Sequence, residues 1–535
     1  MRLATGAPRT MLRRCLAGAL LAFAALGAGQ AAAAAAIRIA TAFDPQTMDP
    51  HALALLYHTR VVQQVYESLL NRDEQFRIEP SLALSWQAVD AKTWRFGLRP
   101  GVVFHDGTPF TVDDAVFSIQ RAMTPPSQRA FQLRGVTGSR KVDEQTLEVD
   151  LEAPDAVLPQ KFVNLPMMSK AWSQQHKVEI AQDFNGKQET FAVRNANGTG
   201  PYQLERYEPD TRTVLRRNPR WWGWAEKRSG NVDEVTWLSI RSDATRLAAL
   251  ISGEVDIVLD PPVPDVARLK SESALTVMQM TDLGQQYLVF DVAHDGLEGS
   301  DVKGRNPFKD LRVRRAVYQA INVDLIARKV LRGLAQPTGA FLSPRVEGSL
   351  AELDQRLPFD PVKARALLAE AGYSQGFSVN LDCVNVAWRE AVCQAMTAML
   401  TQVGIRATLV SSPTNQFFPK LSQATTSLAE FGWTPTTDAW ASLNALFHSW
   451  GRGGPGAFNA GRYANPKLDV LIDAMRVEPD LTRRRAMVST VLRIVADDLP
   501  AVPLYRRTLS WAMHKKVHAV QWPSDVLELR WLRVP

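Results

Sequence analysis

Residues 377–410 read FSVNLDCVNVAWREAVCQAMTAMLTQVGIRATLV, and this stretch decides the fold. From Phe377 to Val384 apolar and polar side chains alternate, the period of a strand with one covered face. From Arg389 to Val403 the period lengthens. Ala391, Ala395, Met399 and Val403 recur every fourth residue, which predicts a helix with one apolar stripe. Gly404 supplies a helix stop, and Ile405 to Val410 reads as a second strand. Strand, helix and strand in so few residues imply parallel pairing through a right-handed crossover, so the class is α/β.

Outward from this unit, strand-like and helical patterns alternate through nearly the whole chain from Ile37. Thr111, with Asp114 three residues on and Val112, Val116, Ile119 and Met123 behind it, predicts a helix opened by a capping box. Asp360-Pro361 places an N-cap before a proline at the first helical position, and Gly372 closes that helix. Asn465-Pro466 repeats the device ahead of Leu468, Leu471, Ile472 and Met475. Alternation over 94–104 (Trp94, Phe96, Leu98) and over 202–217 predicts strand hairpins. The chain's 535 residues exceed what one hydrophobic core spans, so at least two lobes are expected. No repeat or low-complexity linker separates them, which implies that strands join the lobes.

Composition narrows the function. Hydrophobic residues at 46% and charged residues at 22% exclude a disordered chain. The formal charge of +7 falls to +3 once Arg2, Arg9, Arg13 and Arg14 of residues 1–36 are set aside. No lysine/arginine block grips a phosphate backbone, and nucleic acid is not an expected partner.

The N-terminus carries a targeting pattern. Arg13 and Arg14 precede an apolar run from Leu16, and small residues follow in the tract Ala31 to Ala36. These are the three parts of a secretory signal, with cleavage expected near Ala34–Ala36 and a periplasmic destination. A retained membrane anchor is the alternative; the alanine-rich second half of the run argues against it. The Arg13-Arg14 pair leaves the general and the twin-arginine routes both open. Cys15 precedes the apolar run, a position unsuited to lipid attachment. Removing the signal leaves Cys383 and Cys393, which read either as a disulfide or as two buried thiols. No further ligands accompany them for zinc.

Several segments resemble the family 5 extracellular solute-binding proteins, the substrate-binding components of ABC importers for peptides, nickel and glutathione. They include Val65-Tyr66-Glu67-Ser68-Leu69-Leu70, Pro80 to Trp86 (PSLALSW), and Phe96 to Val116 (FGLRPGVVFHDGTPFTVDDAV). Gly198 to Tyr202, Arg217 to Trp222, Gly253 to Ile257, Phe308 to Val317 and Tyr463 to Asp469 follow in family order. The resemblance implies a two-lobed periplasmic-binding-protein type II fold, a clamshell with an extra subdomain inserted in its first lobe. It divides the chain into a signal (1–36), a first lobe (37–285, with the insertion at about 76–194), a second lobe (286–499), and a return to the first lobe (500–535). Tyr287 to Asp291 and Val502 to Tyr505 would form the hinge. The implied function is capture of a peptide or peptide-like solute between the lobes, for delivery to an inner-membrane permease with separate ATPase subunits. A nickel-chelate binder, or a sensory or chaperone protein on the same fold, is the alternative. A monomer without cofactor is expected.

The resemblance also nominates residues. Trp433 follows Phe431-Gly432, reads either as a ligand contact or as a core tryptophan, and heads a loop that sits in the cleft in peptide-binding relatives. There an aspartate three positions on holds the peptide's α-amine; here that position is Thr436, and the nearest acid is Asp438. Asp44, Met48 and Asp49 lie after the first mature strand, where they read either as cleft residues or, for the aspartates, as turn formers before proline. Trp388 and Arg389 open the helix of the 377–410 unit at the carboxyl end of a strand, where open α/β sheets bind anions; a plain surface arginine is the alternative. The histidines assemble no metal site: His514 and His518 share a strand-like segment, and His51 and His58 read as scattered surface residues. Gly-x-Ser-x-Gly, His-Glu-x-x-His and phosphate-loop motifs are absent, so the chain is not expected to be an enzyme.

Overall fold

The computed structural model describes residues 1, 35–225, 230–434, 438–451 and 455–535. Phe377–Val384 and Ile405–Ser412 lie parallel, in register from the Phe377–Ile405 pair to the Val384–Ser412 pair, and the helix Ala387–Gln402 crosses between them. Its buried stripe runs through Val392, Met396 and Leu400, one residue round from the expected one. The bulkier side chains turn inward, and Ala395 and Met399 pack at the flank. Asp114 accepts the Thr111 backbone N–H at 2.9 Å, completing the expected capping box. Asp360 caps Pro361–Glu370 and Asn465 caps Pro466–Val477 through their side chains. The hairpin Tyr202–Glu208/Arg212–Arg217 forms. The pattern at 94–104 instead ends as a strand at Leu98, which pairs back with Ala83–Asp90. Pro100, and Gly101 at φ 75°, break it there, because proline lacks a donor and that φ lies in the left-handed region.

The main sheet has eleven strands. Ile405–Ser412, Phe377–Val384 and Leu428–Trp433 stand at one side. Two long strands, Leu275–Phe290 and Ala501–His514, run antiparallel through the middle. Ile257–Val258, Ala36–Thr41, Glu234–Ser239 and the 202–217 hairpin complete the other side. A separate four-stranded antiparallel sheet holds residues 83–151 with the helix Val112–Met123.

Hydrophobic packing follows this division. One cluster joins Leu288, Phe308, Leu381, Met396 and Leu504, and another joins Tyr287, Phe431, Leu443 and Val491. Tyr287 and Leu288 are consecutive on one strand, so their side chains point to opposite faces of the sheet and feed the two cores separately. Ile39, Tyr202, Trp237, Trp511 and Leu529 form a further core beyond the long strands. The 83–151 sheet encloses its own core around Phe96, Ile119 and Leu147.

The two long strands change register between the pairs Thr281–Thr508 and Gln285–Arg506. Asp282, Leu283 and Gly284 therefore stand opposite the single residue Arg507, an extended β-bulge. Asp282 Oδ1 accepts the Gly284 N–H at 2.8 Å, and Leu283 donates to the Pro523 carbonyl at 3.1 Å. No helix among the described residues is long and apolar enough to cross a membrane.

Candidate functional site

The candidate site lies at the carboxyl ends of two neighbouring parallel strands and the bulge beside them. Leu381 pairs with Leu428 and Asp382 with Ala429, so the register brings Glu430 next to Cys383. The helix Ala387–Gln402 starts just past the first of these strands, and its N-cap residue Val386 contributes no side-chain hydrogen bond. Arg389 turns toward the sheet instead, where its Nη1 donates to Glu430 Oε2 at 2.8 Å. Glu430 has no exposed surface, and its Oε1 lacks a partner among the described residues. Burial pushes this carboxyl above its ordinary range, against the opposing pull of Arg389. Cys383 and Cys393 are bonded to one another, tying the strand end to the second turn of the helix. Their sulfurs lie within 4.8 Å of a Glu430 oxygen, but a disulfide presents no thiolate to a metal.

Two cations lie over the Trp388 ring: the guanidinium carbon of Arg389 is 4.9 Å from its centroid, and that of Arg507 is 5.8 Å away. Arg507 donates Nε and Nη2 to Asp282 Oδ2 at 3.1 and 2.7 Å. Both ion pairs are lopsided in exposure. The Arg507 side chain is 43% exposed over an Asp282 that is 5% exposed, and Arg389 is 17% exposed over a fully buried Glu430. This edge presents guanidinium groups outward, with the carboxylates beneath them.

Trp433 ends its strand opposite Gln285, donates its indole N–H to Ser442 Oγ at 3.0 Å, and packs 5.0 Å from the half-exposed Phe458. Gln285 is 1% exposed, yet neither end of its carboxamide has a partner among the described residues. An unpaired buried amide is costly, so its retention needs a reason. Sequence reasoning passed over Gln285, Glu430, Asp282 and Arg507. Glu430, an acid inside the apolar run Leu428 to Phe431, carried the one visible signal.

Other nominated residues belong to the scaffold. Asp438 caps the helix Ala439–Leu446 by accepting the Trp440 and Ala441 N–H groups, and it pairs with Arg484 at 2.8 Å, each side chain 4% exposed. Among the described residues its carboxylate thus serves a helix cap and a buried ion pair. Thr436 lies outside the described residues. Asp44 accepts from the Tyr207 hydroxyl at 2.6 Å and from the Gln46 and Asp210 N–H groups, which makes it the turn former. Met48 is a core residue. Asp49 is fully buried in a two-pronged pair with Arg121 at 2.9 and 2.7 Å, and this guanidinium holds its carboxyl at about 2 despite desolvation.

His51 and His58 are wholly buried beside that pair, correcting their surface reading. Their Nε2 atoms meet the Pro166 and Asp49 carbonyls at 2.9 and 3.0 Å. Burial keeps both rings neutral, with their pKa values lowered to about 3. His514 contacts the Leu250 carbonyl at 2.9 Å.

Residues 77–454 match the model of the bacterial extracellular solute-binding proteins, family 5. The chain belongs to this family. Family 5 proteins are the substrate-binding components of ABC importers, and this solute-binding protein is one of them. It is 26% identical over 512 residues to the glutathione-binding protein GsiB of Escherichia coli O1:K1 / APEC, covering 92% of this chain and 93% of the relative. Its fold matches HbpA2 from Haemophilus parasuis with a TM-score of 0.80 at 22% identity, covering 94% of this chain and 100% of the other. DppA from Helicobacter pylori, solved with the peptide STSA, aligns with a TM-score of 0.74 at 22% identity over 93% and 98% of the two chains. The family 5 solute-binding protein thus has the type II periplasmic-binding-protein fold.

Proposed function

We propose that this solute-binding protein captures a peptide or peptide-like solute bearing a carboxylate, between a first lobe (37–285 with 500–535, including an insertion at about 76–194) and a second lobe (286–499). The observation that carries the reading is the lopsided pair Arg389–Glu430. It offers a partly exposed guanidinium edge at the carboxyl end of a parallel strand, beside Trp388 and near the bulged crossing strands. Trp433 and Gln285 supply an aromatic wall and an unmatched amide on the adjacent strands. A zwitterionic peptide held through an aspartate at its amine is disfavoured, because Asp438 is already committed to Arg484 and the helix cap.

The related glutathione-binding protein and the peptide-bound DppA support this solute class. The solute closes the lobes by stabilising the closed state, and the closed protein is read by an inner-membrane permease whose ATPase subunits are other chains. The protein is exported to the periplasm as a monomer after removal of residues 1–36, and it performs no chemistry on its cargo. Native mass spectrometry of freshly purified protein, followed by calorimetry with glutathione and tri-alanine, tests the reading. A carboxylate-bearing, amide-containing solute is expected. A retained cation chelate or sugar, with neither probe binding, overturns it.

A further inference from the structure

Arg507 occupies a special place in the ladder. It alone stands opposite the three bulge residues Asp282, Leu283 and Gly284, at the point where the two crossing strands change register. One edge of its guanidinium, Nε and Nη2, is committed to Asp282. Asp282 in turn fixes the bulge by accepting the Gly284 N–H at 2.8 Å. The remaining nitrogen, Nη1, has no partner among the described residues, and the side chain is 43% exposed. The same guanidinium packs on Trp388, whose other cation is Arg389.

The bulge itself is tight. A Cβ on Gly284 would come within 2.7 Å of Thr434 Oγ1, so movement at 282–284 is felt directly at the residue following Trp433. Bulges concentrate local twist and interrupt pairing, which makes them the compliant point of a long ladder.

We propose that Arg507 couples solute capture to the bulge of the crossing strands, its free Nη1 taking an oxyanion of the solute while its other edge stays on Asp282. The inference rests on the carboxylate-bearing solute proposed above and adds a second contact on the crossing strand itself. A planar guanidinium presents separate edges in a fixed geometry, so one edge can stay on Asp282 while the other takes a second oxyanion; lysine offers only a point charge on a flexible stem. A solute carboxylate shared by Arg389 and Arg507 then ties the helix Ala387–Gln402 to the bulge. Asp282 is a positioning residue, since it touches the solute only through Arg507.

Hydrogen exchange of peptides spanning 280–287, together with calorimetry, tests this in Arg507→Gln, Arg507→Lys, Asp282→Asn and Arg389→Gln proteins. Circular dichroism and urea midpoints confirm that each variant folds. Without solute, Arg507→Gln and Asp282→Asn are expected to speed exchange at the bulge by about tenfold, and Arg389→Gln to leave it unchanged. With glutathione or tri-alanine, wild-type protein gains protection at 282–286. Arg507→Gln and Arg507→Lys bind about tenfold more weakly and lose that gain. Arg389→Gln also binds more weakly but keeps the gain at saturation. Unchanged bulge exchange in Arg507→Gln overturns the coupling, and so does wild-type affinity in that variant. If neither probe binds wild-type protein, the solute reading and the oxyanion contact fail together, and the solute-free exchange separates that failure from loss of the bulge clamp.

Discussion

Replacing Asp438 separates a scaffold carboxylate from a solute contact. Arg484 is 3% exposed, and apart from Asp438 it donates only to the Met475 carbonyl, at 3.1 Å, among the described residues. Asp438→Ala strands this buried cation, which costs about 3–5 kcal/mol, and deletes the N-cap of Ala439–Leu446 for about 1 kcal/mol more. Asp438→Asn keeps the cap, since asparagine caps as well as aspartate, and should lose only the ionic part. Adding Arg484→Met to Asp438→Asn removes the stranded charge and should recover most of that loss, because a buried pair is often replaceable by apolar side chains. Urea unfolding of the four proteins gives the energies, and calorimetry with glutathione gives the affinities. The expected outcome is a graded loss of stability in which folded Asp438→Asn protein binds as the wild type does. An Asp438→Asn protein with an unmoved unfolding midpoint but abolished binding refutes the assignment and returns Asp438 to the solute.

Three further outcomes follow from buried polar groups. The unfolded-state pKa of His51 and His58 is 6.5 and the folded value is about 3, so the unfolded chain binds the extra protons; stability present above 6.5 is lost as pH falls, by about 1.4 kcal/mol per pH unit for each ring. Urea titrations between pH 6 and 4 should show His58→Gln roughly halving that slope. Glu67 shows the opposite sign: burial raises its carboxyl to about 7 while it accepts the Trp221 and Trp222 indole N–H groups, so its contribution is present below 4.5 and lost as pH rises through 7. Glu67→Gln should flatten that dependence and raise stability above pH 7 by about 1–3 kcal/mol, measured by thermal or urea unfolding. Gln285→Leu should stabilise the solute-free protein by about 1–3 kcal/mol while weakening glutathione binding, since it removes an unpaired buried amide; a destabilised variant with unchanged affinity contradicts a solute role.

Local rules were legible in the sequence wherever one short segment decides the outcome. The 377–410 crossover, the caps at Thr111, Asp360 and Asn465, and the 202–217 hairpin need only neighbouring residues. The site was less legible because its pairs join distant segments. Arg389 meets Glu430 across 41 positions, Arg507 meets Asp282 across 225, and Arg484 takes Asp438 across 46. A charged residue's partner cannot be read from spacing, so Asp49 beside a proline resembles a loop acid until Arg121 is found 72 positions away. The histidines misled for the same reason: burial is a property of the surroundings, and nothing near His51 announces them.

The strand Ala501–His514 lies between Leu275–Phe290 and Ile257–Val258, so the last of the central strands to be synthesised fills the gap between the two sides of the sheet. A chain emerging N-terminus first has an open slot at the middle of its architecture until that segment arrives. A chain cut short before residue 501 lacks this strand and leaves the facing edges of Leu275–Phe290 and Ile257–Val258 unpaired.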